Sequence, residues 1–318
     1  MRIVLVVIFL CWAQLVLAAP APRLTVVASV EPLAMLAREV LGDQVVVKTL
    51  LLPGQTPHFA SFTPGQAQLV QQADLIVWLG EDAEPNLAAL VRKSRGQRLA
   101  MLDVGGLTLR YGVGHAHENG HAPSDSVKEA AHSAEESAAA IEASDHDHEA
   151  SELDPHLWLS PHNMARLAHA LADQGKSLGL HSADTDAALQ AFEITLANTL
   201  AASRKQLAPY AQRDWLSQHN PWLYFSDALS LRVGMQVSSG LQGGTSTRRF
   251  AELIQQMKSK SVHCVLAEPE ARRAMLARLC QPSDCRIVEA DPLGRDLTEA
   301  RYTDLLVHLT EQFKRCLQ

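Results

Sequence analysis

Apolar and polar positions alternate between two periods along the first hundred residues. Leu24–Ser29 is a β-branched run, and Pro32–Leu41 places apolar residues at helical spacing. Val45–Leu52 predicts a second strand, Pro64–Ala73 a short helix, and Leu75–Leu79 a third strand, with Leu99–Val104 a fourth strand candidate. Strands alternating with helices predict a parallel sheet with helices on its faces. Order resumes at Leu153, and Pro161 suits the first turn of a helix. A longer helix is predicted from about Ala183 to about Leu207, with Leu189, Phe192, Leu196, Leu200 and Leu207 forming one buried stripe. The strand–helix pattern then restarts. Trp222–Phe225, Val262–Ala267 and Arg286–Ala290 read as strands; Arg248–Met257, Glu270–Leu279 and Tyr302–Cys316 read as helices.

The fold class is therefore α/β, with two βα halves joined by a long helix. The expected organisation is a segment 1–18, an N-terminal lobe 19–160, a helical region 161–210 and a C-terminal lobe 211–318. Met1–Ala18 carries Arg2, an apolar stretch Ile3–Leu17 and small residues at −3 and −1 of Val16-Leu17-Ala18. This is the pattern of a cleavable signal peptide, so an exported chain beginning near Ala19 is expected.

Between the fourth strand candidate and Leu153 lies an insert, 114–152, of Ala, Ser, Glu and His with almost no large apolar residue. It cannot bury enough surface to offset ordering entropy and is expected to be a mobile loop. It holds ten acids against one base, Lys128, a charge of −9 in a chain whose formal total is −7. The acidity thus belongs to the insert, and the absence of a basic patch argues against a nucleic-acid partner. Six of the fourteen histidines are also there: His115, His117, His121, His132, His146 and His148. Imidazoles beside carboxylates suit a loose secondary metal site. No internal apolar run is long enough to span a bilayer.

Removal of the signal segment leaves Cys264, Cys280, Cys285 and Cys316, an even number that suits an oxidising compartment. Four cysteines allow three pairings. Cys280 and Cys285 flank Gln-Pro-Ser-Asp, a stretch suited to a local bridge. A bridge between Cys264 and Cys316 would tie down the C-terminus. The motifs HExxH, GxSxG and GxxxxGK[ST] are absent, so no enzyme is indicated.

In open α/β sheets ligands bind beyond the carboxyl ends of strands. The polar residues expected there are His58, Ser226 and Asp227, Glu268 and Asp291, with His156 at the start of a helix. Two imidazoles and carboxylates meeting in a crevice would form a transition-metal site of the kind zinc favours.

The segment LLPGQTPHFASFTPGQAQLVQQADLIVWLGEDAEPNL (51–87) resembles the first metal-site segment of ZnuA-type proteins, the periplasmic zinc-binding components of ABC uptake systems. DPHLWLSP (154–161), HCVLAEPEAR (263–272) and VEADPLG (288–294) resemble three further segments, and the His-rich acidic insert is typical of the group. The resemblance covers nearly all of the mature chain. It implies two Rossmann-like α/β lobes joined by one long rigid helix, with metal in the inter-lobe cleft. It also implies zinc as transported ligand, a membrane permease as partner, a periplasmic monomer, and binding without catalysis. His58 and His156 match the first two histidine ligands, and Asp291 matches a carboxylate that is a ligand in many members. Cys264 and Cys316 match the cysteines of a disulfide in zinc-specific relatives, with Cys280 and Cys285 as an extra pair. One departure stands out: Phe225-Ser226-Asp227-Ala228 has serine where the family's Phe-His-Asp-Ala has its third histidine. Asp227, His219, a histidine of the insert or water is then expected to complete the sphere, or the site is weaker or retuned, with zinc still bound at lower affinity than by three histidines. The rival readings are a zinc chaperone or auxiliary paralogue with a retuned site, a manganese or iron homologue, and, remotely, a zinc hydrolase using Glu268 or Asp227 as base.

Overall fold

The computed structural model describes residues 23–59, 61–111, 153–238 and 246–318. The segment 1–18 and the insert 114–152 lie outside the described residues, as do the six histidines of that insert.

Four strands, β1 (Leu24–Ala28), β2 (Val45–Thr49), β3 (Leu75–Trp78) and β4 (Gln97–Ala100), form a parallel sheet in the order β2-β1-β3-β4. Three helices connect them: α1 (Glu31–Leu41), α2 (Pro64–Gln72) and α3 (Pro85–Arg92). Each carries proline in its first turn, where the missing N–H costs nothing. Thr63 and Gln66 close a capping box on α2. Periodicity alone gives no sign of α3, a two-turn helix that buries only Leu87, Ala88 and Val91. The fourth strand ends earlier than expected, at Ala100, and Met101–Asp103 forms a single 3₁₀ turn.

After α4 (Pro161–Ser177), capped by Ser160, comes α5 (Ser182–Leu207). At 1.5 Å per residue its 26 residues span about 39 Å. Phe192, Leu196 and Leu207 are buried on it, and Leu189 and Leu200 half-buried, so the predicted stripe is the packing face.

A second parallel sheet has the order β6-β5-β7-β8: β5 (Leu216–Ser217), β6 (Met235–Gln236), β7 (Cys264–Ala267) and β8 (Arg286–Glu289). Its helices are α6 (Leu223–Ala228), α7 (Thr247–Ser259), α8 (Arg273–Cys280) and α9 (Tyr302–Leu317). One expectation is corrected here. Trp222–Phe225 is not a strand but lies at and within the start of α6. All four of its side chains are buried, so the run shows no alternation, and a short continuous apolar run fits a buried helical turn as well as a strand. The strand of this region is Leu216–Ser217, six residues earlier.

The long helix α5 packs on α1, α4 and α9, and α1 also touches α9. One hydrophobic cluster runs without a break from β1 and α1 through α5 to α9 and β7, with Trp158, Trp215, Trp222, Phe225 and Phe313 inside it. A core shared between two lobes opposes wide hinge motion, because opening would expose that apolar surface to water. Disulfides join Cys264 to Cys316 and Cys280 to Cys285, tying β7 to α9 and the end of α8 to the strand that follows it. Among the described residues no helix is long and apolar enough to cross a membrane.

Candidate metal centre

Three imidazoles meet where the two lobes face each other. His58 lies in a 3₁₀ turn, Pro57–Phe59, on the loop that leaves β2. That loop is stitched down by Gln55, whose Oε1 accepts from Leu52 N–H and Gln66 Nε2, each at 2.9 Å. Gln55 Nε2 in turn donates to Ser61 O at 3.0 Å. Gly54 supplies the turn with φ of 84°, a conformation that glycine adopts without a Cβ penalty.

His156 follows the bridge that pairs Leu153 with Tyr111. Asp154 Oδ1 accepts from the backbone N–H of His156 at 3.0 Å and lies 2.7 Å from its Nδ1. His219 stands two residues past the carboxyl end of β5, and Glu268 stands just past the end of β7. Glu268 Oε1 is 2.7 Å from His219 Nδ1, though out of line for a hydrogen bond. His156, His219 and both carboxylates are buried. A carboxylate against Nδ1 fixes a metal-ligating histidine in orientation and leaves Nε2 to point at the ion. His219 Nε2 is buried and has no hydrogen-bond partner among the described residues, a costly arrangement unless something else satisfies it.

Nε2 of His58 and Nε2 of His156 are 3.1 Å apart, and one ligand atom from each of the three rings lies within 4.8 Å of the others. Zn–N bonds of 2.0–2.1 Å in a tetrahedral site place nitrogens about 3.4 Å apart, so small side-chain adjustments suffice. Among the described residues this is the group of three that could hold an ion. Burial, with the adjacent His156 and His219, lowers the pKa of His58 from 6.5 to about 3, so its ring is neutral and able to ligate at neutral pH.

That shift has a consequence for stability. Below pH 6.5 the unfolded chain protonates His58, while the folded chain does so only near pH 3. The stability due to this group is complete above pH 6.5 and is lost as pH falls between those values. Urea unfolding of the chelator-treated protein is expected to weaken over this window, and more steeply than for His58→Asn. Equal slopes would refute the assignment.

The other expected residues lie elsewhere. Asp291 is outside the three-histidine group; its Oδ1 and Oδ2 accept from Arg295 Nη2 at 3.0 Å and Nε at 2.9 Å. Asp227, on α6, is paired with Arg110, and Ser226 is buried in the same helix. His219, one of the residues expected to complete the sphere where Ser226 replaces the family's histidine, brings a third imidazole beside His58 and His156. Its strand is two residues long, too short to show a period, so periodicity did not set it apart from Asp227 or the histidines of the insert. Reading Trp215-Leu216-Ser217 as a strand would have put Gln-His-Asn-Pro at its carboxyl end, where ligands bind.

A family model described as Zinc-uptake complex component A, periplasmic (ZnuA) matches residues 26–316. The high-affinity zinc uptake system protein ZnuA of Yersinia pestis is 26% identical over 299 residues, covering 92% of this chain and 91% of that one. A crystal structure of ZnuA superposes with a TM-score of 0.73 at 18% identity, covering 93% of this chain and all of the other (100%). A zinc-bound deletion mutant of ZnuA gives 0.73 at 19% identity, covering 93% and 99%. With two parallel-sheet lobes, a long connecting helix and a match over nearly its whole length, the chain belongs to the ZnuA family.

Proposed function

We propose that this chain is the periplasmic solute-binding component of an ABC zinc importer, and that it grips one Zn²⁺ between its lobes with His58, His156 and His219. The observation that carries this reading is the convergence of three imidazoles, two of them backed by buried carboxylates. Three neutral nitrogen donors suit zinc better than manganese or magnesium, which prefer oxygen. Asp154 and Glu268 offset the charge of the ion without ligating it.

The action is binding rather than turnover. The loaded form docks on a membrane permease, which accepts the ion. Differential contacts of loaded and unloaded forms with that partner give the transfer its direction. The shared core confines the difference between the two forms to loops, chiefly the one that carries His58. Residues 1–18 serve as the export signal, and the mature chain comprises lobes 19–160 and 211–318 joined through 161–210. The histidines of the insert act as a loose collecting site that raises zinc concentration near the cleft.

Elemental analysis of the mature chain, with and without residues 114–152, tests the reading. Retention of one zinc in both forms, resistant to a competing chelator, is expected. Loss of all tight zinc on deletion of the insert would move the site out of the cleft. No saturable zinc in either form would end the proposal.

A further inference from the structure

Asp291 stands at the carboxyl end of β8, next to the end of β7, where Glu268 touches His219. Its neighbour Pro292 accepts a hydrogen bond at 2.8 Å from Trp158 Nε1, and the Trp158 ring lies 5.3 Å from that of His156. This carboxylate thus borders the three-histidine site. Its lone pairs are all directed elsewhere. Arg295 grips it through Nε and Nη2, and the backbone N–H groups of Leu293 and Arg295 donate to it at 3.0 and 2.9 Å. Arg295 Nη1 reaches Glu270 and donates to Gln55 O at 3.1 Å, three residues before His58. Burial opposes the charge on Arg295, but its hydrogen bonds to the carboxylates of Asp291 and Glu270 outweigh it and stabilise the guanidinium further.

We infer that Arg295 is a specificity-determining residue: by holding both oxygens of Asp291 it withholds a carboxylate from the metal cleft and keeps the donor set to three imidazoles. This rests on the zinc reading of the triad. The chemistry is one of exclusion. A fork of N–H donors matches a carboxylate in two parallel bonds, stronger than a single neutral hydrogen bond. An anionic oxygen added to three nitrogens would improve the site for harder ions such as Mn²⁺ more than for Zn²⁺. Selectivity is a difference of affinities and can be gained by denying the competitor its preferred ligand. The same guanidinium fixes Gln55 O, so ion choice is coupled to the loop that presents His58.

The test compares the mature wild type with Arg295→Met, Asp291→Asn and the double variant. Zn²⁺ and Mn²⁺ affinities are measured by competition with a fluorescent chelator, and thermal unfolding is followed alongside. Asp291→Asn is expected to leave zinc affinity unchanged. Arg295→Met is expected to narrow the zinc-over-manganese ratio by about tenfold, the low end for partners one shell out. The double variant is expected to restore the wild-type ratio, because the released group is gone. An unmoved ratio in folded Arg295→Met, or the same narrowing in the double variant, overturns the inference. So does a loss of zinc affinity in Asp291→Asn, which would make that carboxylate a ligand already and needs no Arg295 variant to fold. A wild type that takes up neither ion overturns the triad reading itself.

Discussion

Replacing His219 with alanine lowers zinc affinity by more than about 100-fold, beyond the range seen when only an outer partner is lost. Ser226→Ala leaves it unchanged. His219 Nε2 is a buried nitrogen with no hydrogen-bond partner among the described residues, and its ring lies 5.6 Å and 5.4 Å from those of His58 and His156. Removing it leaves two imidazoles, one on a loop, and gives a tetrahedral ion two more positions to fill from water. Competition with a chromophoric chelator measures the change. Glu268 loses its buried neighbour in this variant, so the thermal unfolding of both metal-free proteins is compared to separate misfolding from lost ligation. A folded His219→Ala protein with wild-type affinity would remove this residue from the ligand set. A loss in Ser226→Ala would return the site to α6.

How much of this was legible in the sequence depended on the length of each element. The strands Leu24–Ala28 and Leu75–Trp78 show as short apolar, largely β-branched runs between helical segments, and the long helix Ser182–Leu207 repeats its period often enough to be seen. His58 and His156 sit in loops whose motifs are distinctive, so local sequence was sufficient. Around β5 it was not. Trp215, Leu216, Trp222, Leu223, Tyr224 and Phe225 are all buried, and a stretch buried on every side carries no phase. The strand was therefore placed six residues late, and nothing in the local pattern set His219 apart from Asp227 or the histidines of the insert as the third group. The state of Asp291 was hidden for another reason. Its position after β8 could be read, but its engagement by Arg295, with Glu270 and the carbonyl of Gln55 as further partners, is a long-range arrangement. A carboxylate at a strand end is a ligand or a salt-bridge partner according to which cation reaches it, and only packing decides that.

The two disulfides are expected to differ about twofold in their contribution to stability. Cys264–Cys316 closes a loop with a sequence separation of 52, and Cys280–Cys285 one of 5. Loop-closure entropy assigns about 4 kcal/mol to the first and about 2 kcal/mol to the second. The larger bond also has the wider structural reach. It fastens α9, whose buried face of Leu305, Leu306, Leu309 and Phe313 belongs to the core shared with α1 and α5. Releasing it lets the end of that helix fray away from both lobes, whereas releasing Cys280–Cys285 loosens only the corner between α8 and β8. Urea unfolding of the metal-free double variants Cys264→Ala/Cys316→Ala and Cys280→Ala/Cys285→Ala measures the pair. A midpoint loss for the first no larger than for the second would mean that α9 is held by its apolar face alone. Its packing against α5, rather than the covalent tie to β7, would then be what keeps the C-terminal lobe in register with the site.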